Sequence, residues 1–234
     1  MGTRVRAVLL GAAAVLAGST AVACGGQVDG TPTAAQQTVV STGGGDLSPR
    51  LLAAEAFPPG YPAVVLPEHA VAMAASDLAG VTKGGVVDPP DCTPAPQAYD
   101  PSGTVMAVGT NGATRATLSV EVARVDTPLA QHRRYLSRCA KMSVDALGAT
   151  AEVTTTLDPD DPDPESDADD ALGYTRSVVS GGSERRLDQS MVTRVAQCDD
   201  VRVSVTLMSF GAGAPDTGAL DEVFAHAVDA ARSG

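Results

Sequence analysis

Val201-Arg202-Val203-Ser204-Val205-Thr206-Leu207-Met208-Ser209 carries the clearest one-sided alternation in the chain. Val201, Val203, Val205 and Leu207 fall on every second position, which predicts a strand with one buried face and one wet face. Leu220, Val223, Phe224, Ala227 and Val228 then recur at helical spacing, predicting a closing amphipathic helix over 217–232. A strand followed directly by a helix that must cover it sets the theme for the rest of the sequence.

Working backward, strands are expected over 188–197 and 173–179, with turns at Gly181-Gly182 and Cys198-Asp199-Asp200. A further strand is expected over 150–157. Thr127-Pro128 opens a helix expected to reach about residue 142, with Leu129, His132, Leu136 and Cys139 on one stripe and Arg134, Arg138 and Lys141 facing away. Before it, 104–110 and the alternating run Ala116, Leu118, Val120, Val122 read as a hairpin joined at Asn111-Gly112. In that second strand Thr117, Ser119 and Glu121 are assigned to the wet face. Residues 82–101 read as a long proline-rich loop. Pro67 opens a helix bearing Val71, Ala74, Ala75 and Leu78, with Gly80 as its C-cap. Residues 63–66 are briefly apolar and extended, and Ser48-Pro49 suggests a short helix over 49–56. The order predicts an α+β domain: an antiparallel sheet of about five or six strands with three or four helices packed on one face.

The 234 residues are 44% hydrophobic but only 3% aromatic, with no Trp, so Ala, Val, Leu and Met must fill the core. A formal net charge of -12 argues against nucleic-acid binding and against attraction to anionic headgroups.

Arg4 and Arg6 precede an uncharged apolar run over 8–17, and Ala21-Val22-Ala23-Cys24 follows. The run is shorter than the roughly 20 residues of a transmembrane helix, so it reads as an export signal over 1–23. The cysteine at its end matches a lipobox, which predicts acylation of Cys24, although Ala21-Val22-Ala23 also fits ordinary secretory cleavage. Residues 24–47, rich in Gly, Thr, Gln and Ala, read as a flexible tether, and 48–234 as one domain.

Acylation at Cys24 leaves Cys92, Cys139 and Cys198 in an oxidising compartment, so one disulfide and one thiol are expected. Cys92 with Cys139 is favoured, because it pins the long loop to the apolar stripe of the third helix. Cys139 with Cys198 is the alternative. Without acylation, four cysteines allow two bridges.

Residues 158–170 hold eight carboxylates in thirteen positions. No Gly interrupts the run, as a calcium loop requires, so it reads as a solvated and partly disordered surface loop with no metal. His69, His132 and His226 fall on three separate helices, and no nucleophile elbow, P-loop or dinucleotide fingerprint is present. No catalytic residue, metal ligand or cofactor is expected.

Taken together, Cys24, the short tether, Pro89-Pro90-Asp91-Cys92, Tyr135-Leu136-Ser137-Arg138-Cys139 and the final strand–helix unit resemble the small exported lipoproteins of mycobacteria and related actinobacteria. More distantly they are similar to the extracellular sensor domain of a mycobacterial receptor kinase. The resemblance spans residues 51–232. It implies a disulfide-stapled α+β domain held on the extracytoplasmic face of the cell membrane, with a groove for a ligand. The expectation is a monomeric, non-enzymatic ligand-binding or sensor-like module for a small or apolar envelope ligand. A protein-interaction partner or an envelope hydrolase are the alternatives.

Overall fold

The computed structural model describes residues 44–159, 170–181, 186–211 and 213–234. The export signal, Cys24, most of the expected tether and residues 160–169 of the acidic run lie outside the described residues.

The described chain forms one antiparallel sheet of nine strands, not five or six. In chain order they are β1 (Ala63–Val65), β2 (Val86–Asp88), β3 (Thr104–Thr110), β4 (Thr117–Arg124), β5 (Lys141–Ala146), β6 (Ala149–Leu157), β7 (Asp170–Ser180), β8 (Leu187–Cys198) and β9 (Val201–Phe210). Their spatial order is β1-β3-β4-β9-β8-β7-β6-β5-β2. Three α-helices accompany them: α1 (Glu68–Ala79), α2 (Leu129–Arg138) and α3 (Thr217–Ser233).

Each extra strand has a local cause. β1 and β2 are three-residue edge strands, too short to show a period. β5 falls where the helix was expected to continue: α2 stops at its C-cap Cys139, and Lys141–Ala146 turns into a strand. The tight turn behind β5 is Leu147-Gly148, both at positive φ (53° and 79°), the geometry of a two-residue hairpin. Asn111-Gly112 instead begins a longer loop: the Asn111 side-chain carbonyl accepts from the Ala113 and Thr114 amides, and Arg115 takes the positive φ of 64°. The helix expected over 49–56 is two 3-10 turns, Ser48–Arg50 and Ala54–Ala56.

The helices lie on both faces of the sheet, not one. Register settles this, because cross-strand partners share a face. Leu118, Val120 and Val122 of β4 pair with Leu207, Val205 and Val203 of β9. These residues form one core with Leu220, Val223, Phe224, Ala227 and Val228 of α3. The opposite face carries Met106, which packs with Val71 and Ala75 of α1, and Leu172 and Val195, which pack with Leu129 and Leu136 of α2. Gly80 caps α1 in the left-handed conformation (φ 70°), where an added Cβ would meet Val178 at 3.0 Å.

Leu47 belongs to the folded unit: it is fully buried in the α3 core, and its amide donates to the Pro101 carbonyl at 2.7 Å. Asp158 is likewise held, by the Arg194 guanidinium, and Asp170 begins β7, so the acidic run is anchored at both ends.

Candidate functional site

The β1 and β2 edges are eight strand spacings apart, and α1 carries the chain from one to the other across the face opposite α3. From β2 the chain must return to β3, seven spacings or about 34 Å at ~4.8 Å per strand. Residues 88–104 can reach about 53 Å when extended, so this return fits a strap laid across the sheet. Its start is fixed by the Cys92–Cys139 disulfide at the end of α2. Tyr135 strengthens that anchor by donating its hydroxyl to the Cys92 carbonyl at 2.7 Å. Among the described residues Cys198 is the free thiol, partly buried beside the α3 core.

The sheet face that the strap crosses carries a polar band. Among the described residues the buried polar side chains are Thr104, Ser119, Thr155, Arg176, Thr193 and Thr206. By register all six stand on the face opposite α3: Ser119 pairs with Thr206, Thr206 with Thr193, Thr193 with Tyr174, and Thr155 with Arg176. Ser119, Thr206, Thr193 and Tyr174 thus form a row of hydroxyls across four strands, with the Thr193 and Thr206 hydroxyls 3.0 Å apart. Next to this row lie Glu121 and Ser204, direct partners across β4 and β9. The band runs between two apolar clusters, one of Val178, Met191 and Met208 with Leu78 of α1 and Tyr135 of α2, the other of Leu172 and Val195 with Leu129 and Leu136 of α2.

Three groups here, Glu121, Arg202 and His132, are tuned by burial and by neighbouring charge. Glu121 accepts from the Gln97 carboxamide at 2.9 Å, and the same amide donates to the Thr104 hydroxyl at 2.8 Å. Burial raises the Glu121 pKa, opposed by the Gln97 bond and by the charge of Arg202. Arg202 donates to the Thr127 carbonyl (3.0 Å) and the Gln197 side chain (2.9 Å), while its buried Nε has no acceptor among the described residues. His132, on α2, has its pKa lowered to about 3 by burial and by Arg202 and Arg176, so it is a neutral imidazole at physiological pH. Arg176 holds the face together: it donates to Thr155 at 3.2 Å and to the Leu78 carbonyl at the end of α1 at 2.6 Å.

Among the described residues no three of His, Cys, Asp and Glu converge as a metal centre would need. His69 and His226 lie exposed on α1 and α3, away from His132. Ser119 and Glu121 stand on the face expected to be wet, and Arg202, Ser204 and Thr206 share it as polar positions alternating with Val in β9, while Thr193 joins them from β8 with no such alternation to mark it. Only the topology shows that this face is roofed.

The fold and site define a class: a single-sheet α+β domain, disulfide-stapled, with a roofed polar band on one sheet face. No family model matches the sequence, and no curated protein does. Two solved structures are distantly similar. One is an uncharacterised protein of Mycobacterium smegmatis, the Rv0999 ortholog, at 17% identity and TM-score 0.42, over 76% of this chain and 92% of that one. The other is the extracellular domain of PknH from Mycobacterium tuberculosis, at 14% identity and TM-score 0.35, over 76% of this chain and 81% of that one. At these values neither transfers a function or a residue role.

Among the described residues no helix is long and apolar enough to cross a membrane.

Proposed function

We propose that the protein is a non-enzymatic binding module of the cell envelope, tethered through an acylated Cys24, and that the polar band between α1 and α2 takes a small polar ligand. One observation carries the reading: the six buried polar side chains gather on one face of one sheet, joined there by Glu121, Arg202 and His132. Burying polar groups without full pairing costs free energy, and the α3 face of β4 and β9 is built from Val and Leu instead. A core serving stability alone would repeat that apolar solution. The polarity of the floor also favours a polar ligand over an apolar one.

The test is a thermal-shift panel on the mature protein, using polyols, sugars, amino acids and simple amides. A ligand at 100 times its Kd stabilises by about 2.7 kcal/mol, which is about 5–10 °C in Tm for a domain of this size. The shift should vanish in Glu121→Ala. A panel with no shift would overturn the reading.

A second reading, a docking partner for another envelope protein, is favoured by the β1 edge, where Val64 and Val65 are 61% and 56% exposed. In-cell crosslinking from position 64 that returns no reproducible partner would remove it.

A further inference from the structure

Residues 94–99 are held in an unusual way. Among the described residues, no backbone hydrogen bond ties them to any neighbouring element; the nearest are the Thr93 amide to Pro90 and the Gly103 and Thr104 amides to Asp100. Pro94 and Pro96 have no amide proton to offer. What fastens the strap is side-chain contact: the Gln97 carboxamide on Glu121 and Thr104, and Tyr99 in the apolar cluster of Val71, Ala75 and Met106. Both ends are fixed, by the Cys92 disulfide and by β3, so the segment can lift without leaving.

The latch also resembles a ligand. Gln97 presents a neutral N–H donor to the one carboxylate of the band, while close by the Arg202 Nε lacks an acceptor. A molecule supplying both, a donor to Glu121 and an acceptor for Arg202, would satisfy the site better than Gln97 does. The opposite charges of Glu121 and Arg202 offset each other, and a row of hydroxyls that can each donate or accept lies alongside. That set matches a neutral molecule with adjacent hydroxyl groups.

We infer that residues 94–99 form a displaceable lid whose Gln97 carboxamide occupies, in the closed state, the position of a ligand hydroxyl, and that the ligand is a neutral polyol or sugar. This inference rests on the binding-module reading and adds its gate and its ligand class. Apparent affinity is the intrinsic affinity scaled by the open fraction, so weakening the latch tightens binding.

The experiment titrates the mature full chain with myo-inositol and with glucose, followed by calorimetry and by amide chemical shifts. Wild type, Gln97→Ala and Gln97→Glu are compared, the last placing a second carboxylate against Glu121 to push the strap away. Both variants should bind roughly five- to thirtyfold tighter than wild type, the range expected for removing one or two net hydrogen bonds. Saturating probe should move the wild-type Gln97 side-chain amide to a solvent-exposed chemical shift, while the amides of β8 and β9 stay protected from hydrogen exchange in all three proteins, which also certifies that the variants are folded. Equal affinity in all three proteins would overturn the lid and leave the binding module standing. No polyol binding, alongside a hit from another class in the thermal panel, would overturn the ligand class. No binding of any compound would sink both.

Discussion

His132 shows how one residue records its surroundings. The imidazole of an unfolded chain takes up a proton near its ordinary pKa of 6.5, whereas in the folded protein it does so only at about 3. Between those values the unfolded state binds more protons, so this group lowers stability as pH falls, by up to about 1.4 kcal/mol per unit. Glu121 acts in the opposite sense. Its carboxyl is held above its ordinary 4.5, so the folded state protonates first and stability rises as pH falls through that window. His132→Phe should therefore flatten the loss of stability between pH 6.5 and pH 5, measured by urea unfolding at several pH values. An unchanged slope would mean that the imidazole protonates as freely in the folded protein as outside it. Arg176 is a different kind of residue: it bonds Thr155 and the end of α1 while stacking over Tyr174 at 5.2 Å, a structural clamp beside the polar floor.

At the scale of elements, the Cys92–Cys139 bridge joins the strap's start to the end of α2 across 47 residues. On the chain-entropy model a loop of that length is worth about 4 kcal/mol. Replacing both cysteines by Ser should lower the unfolding free energy by roughly that amount and speed hydrogen exchange in the strap before it does so in β8 and β9. Uniform loss of protection across the sheet would show that the bridge stabilises the whole fold and does not specifically hold the strap. The long elements were legible from pattern: β3, β4, β6, β8, β9 and α3 lie close to where periodicity put them, because each has one apolar face. β1 and β2 were not, since three residues carry no period. β5 was hidden because Leu136, Cys139 and Met142 recur at helical spacing across a point where the chain changes conformation. For the site, chain pattern shows that Glu121 and Arg202 face away from the α3 core, but not whether water or the strap meets them.

On the whole-molecule scale, seven of the nine strands fall into two locally connected groups, with β1 and β2 added at the edges. β3 and β4 are neighbours in sequence, and β5 through β9 form an unbroken meander, each strand paired with the next. The two groups meet along one seam, β4 against β9, where Val120 faces Val205 across 85 positions of chain. Closing a loop of that length is entropically slow, whereas hairpins close quickly. The order of events in folding follows: the meander assembles early, and the seam is sealed late, with α2 and the strap drawn across the face as it closes. Val195→Ala, inside the meander, should mainly slow refolding, while Val120→Ala should mainly speed unfolding, as read from the two arms of a chevron plot. The reverse pattern would place the seam in the nucleus. A polar floor roofed only at the final step would also spend the early part of folding open to water, where its hydroxyls and charges are hydrated until the last contacts form.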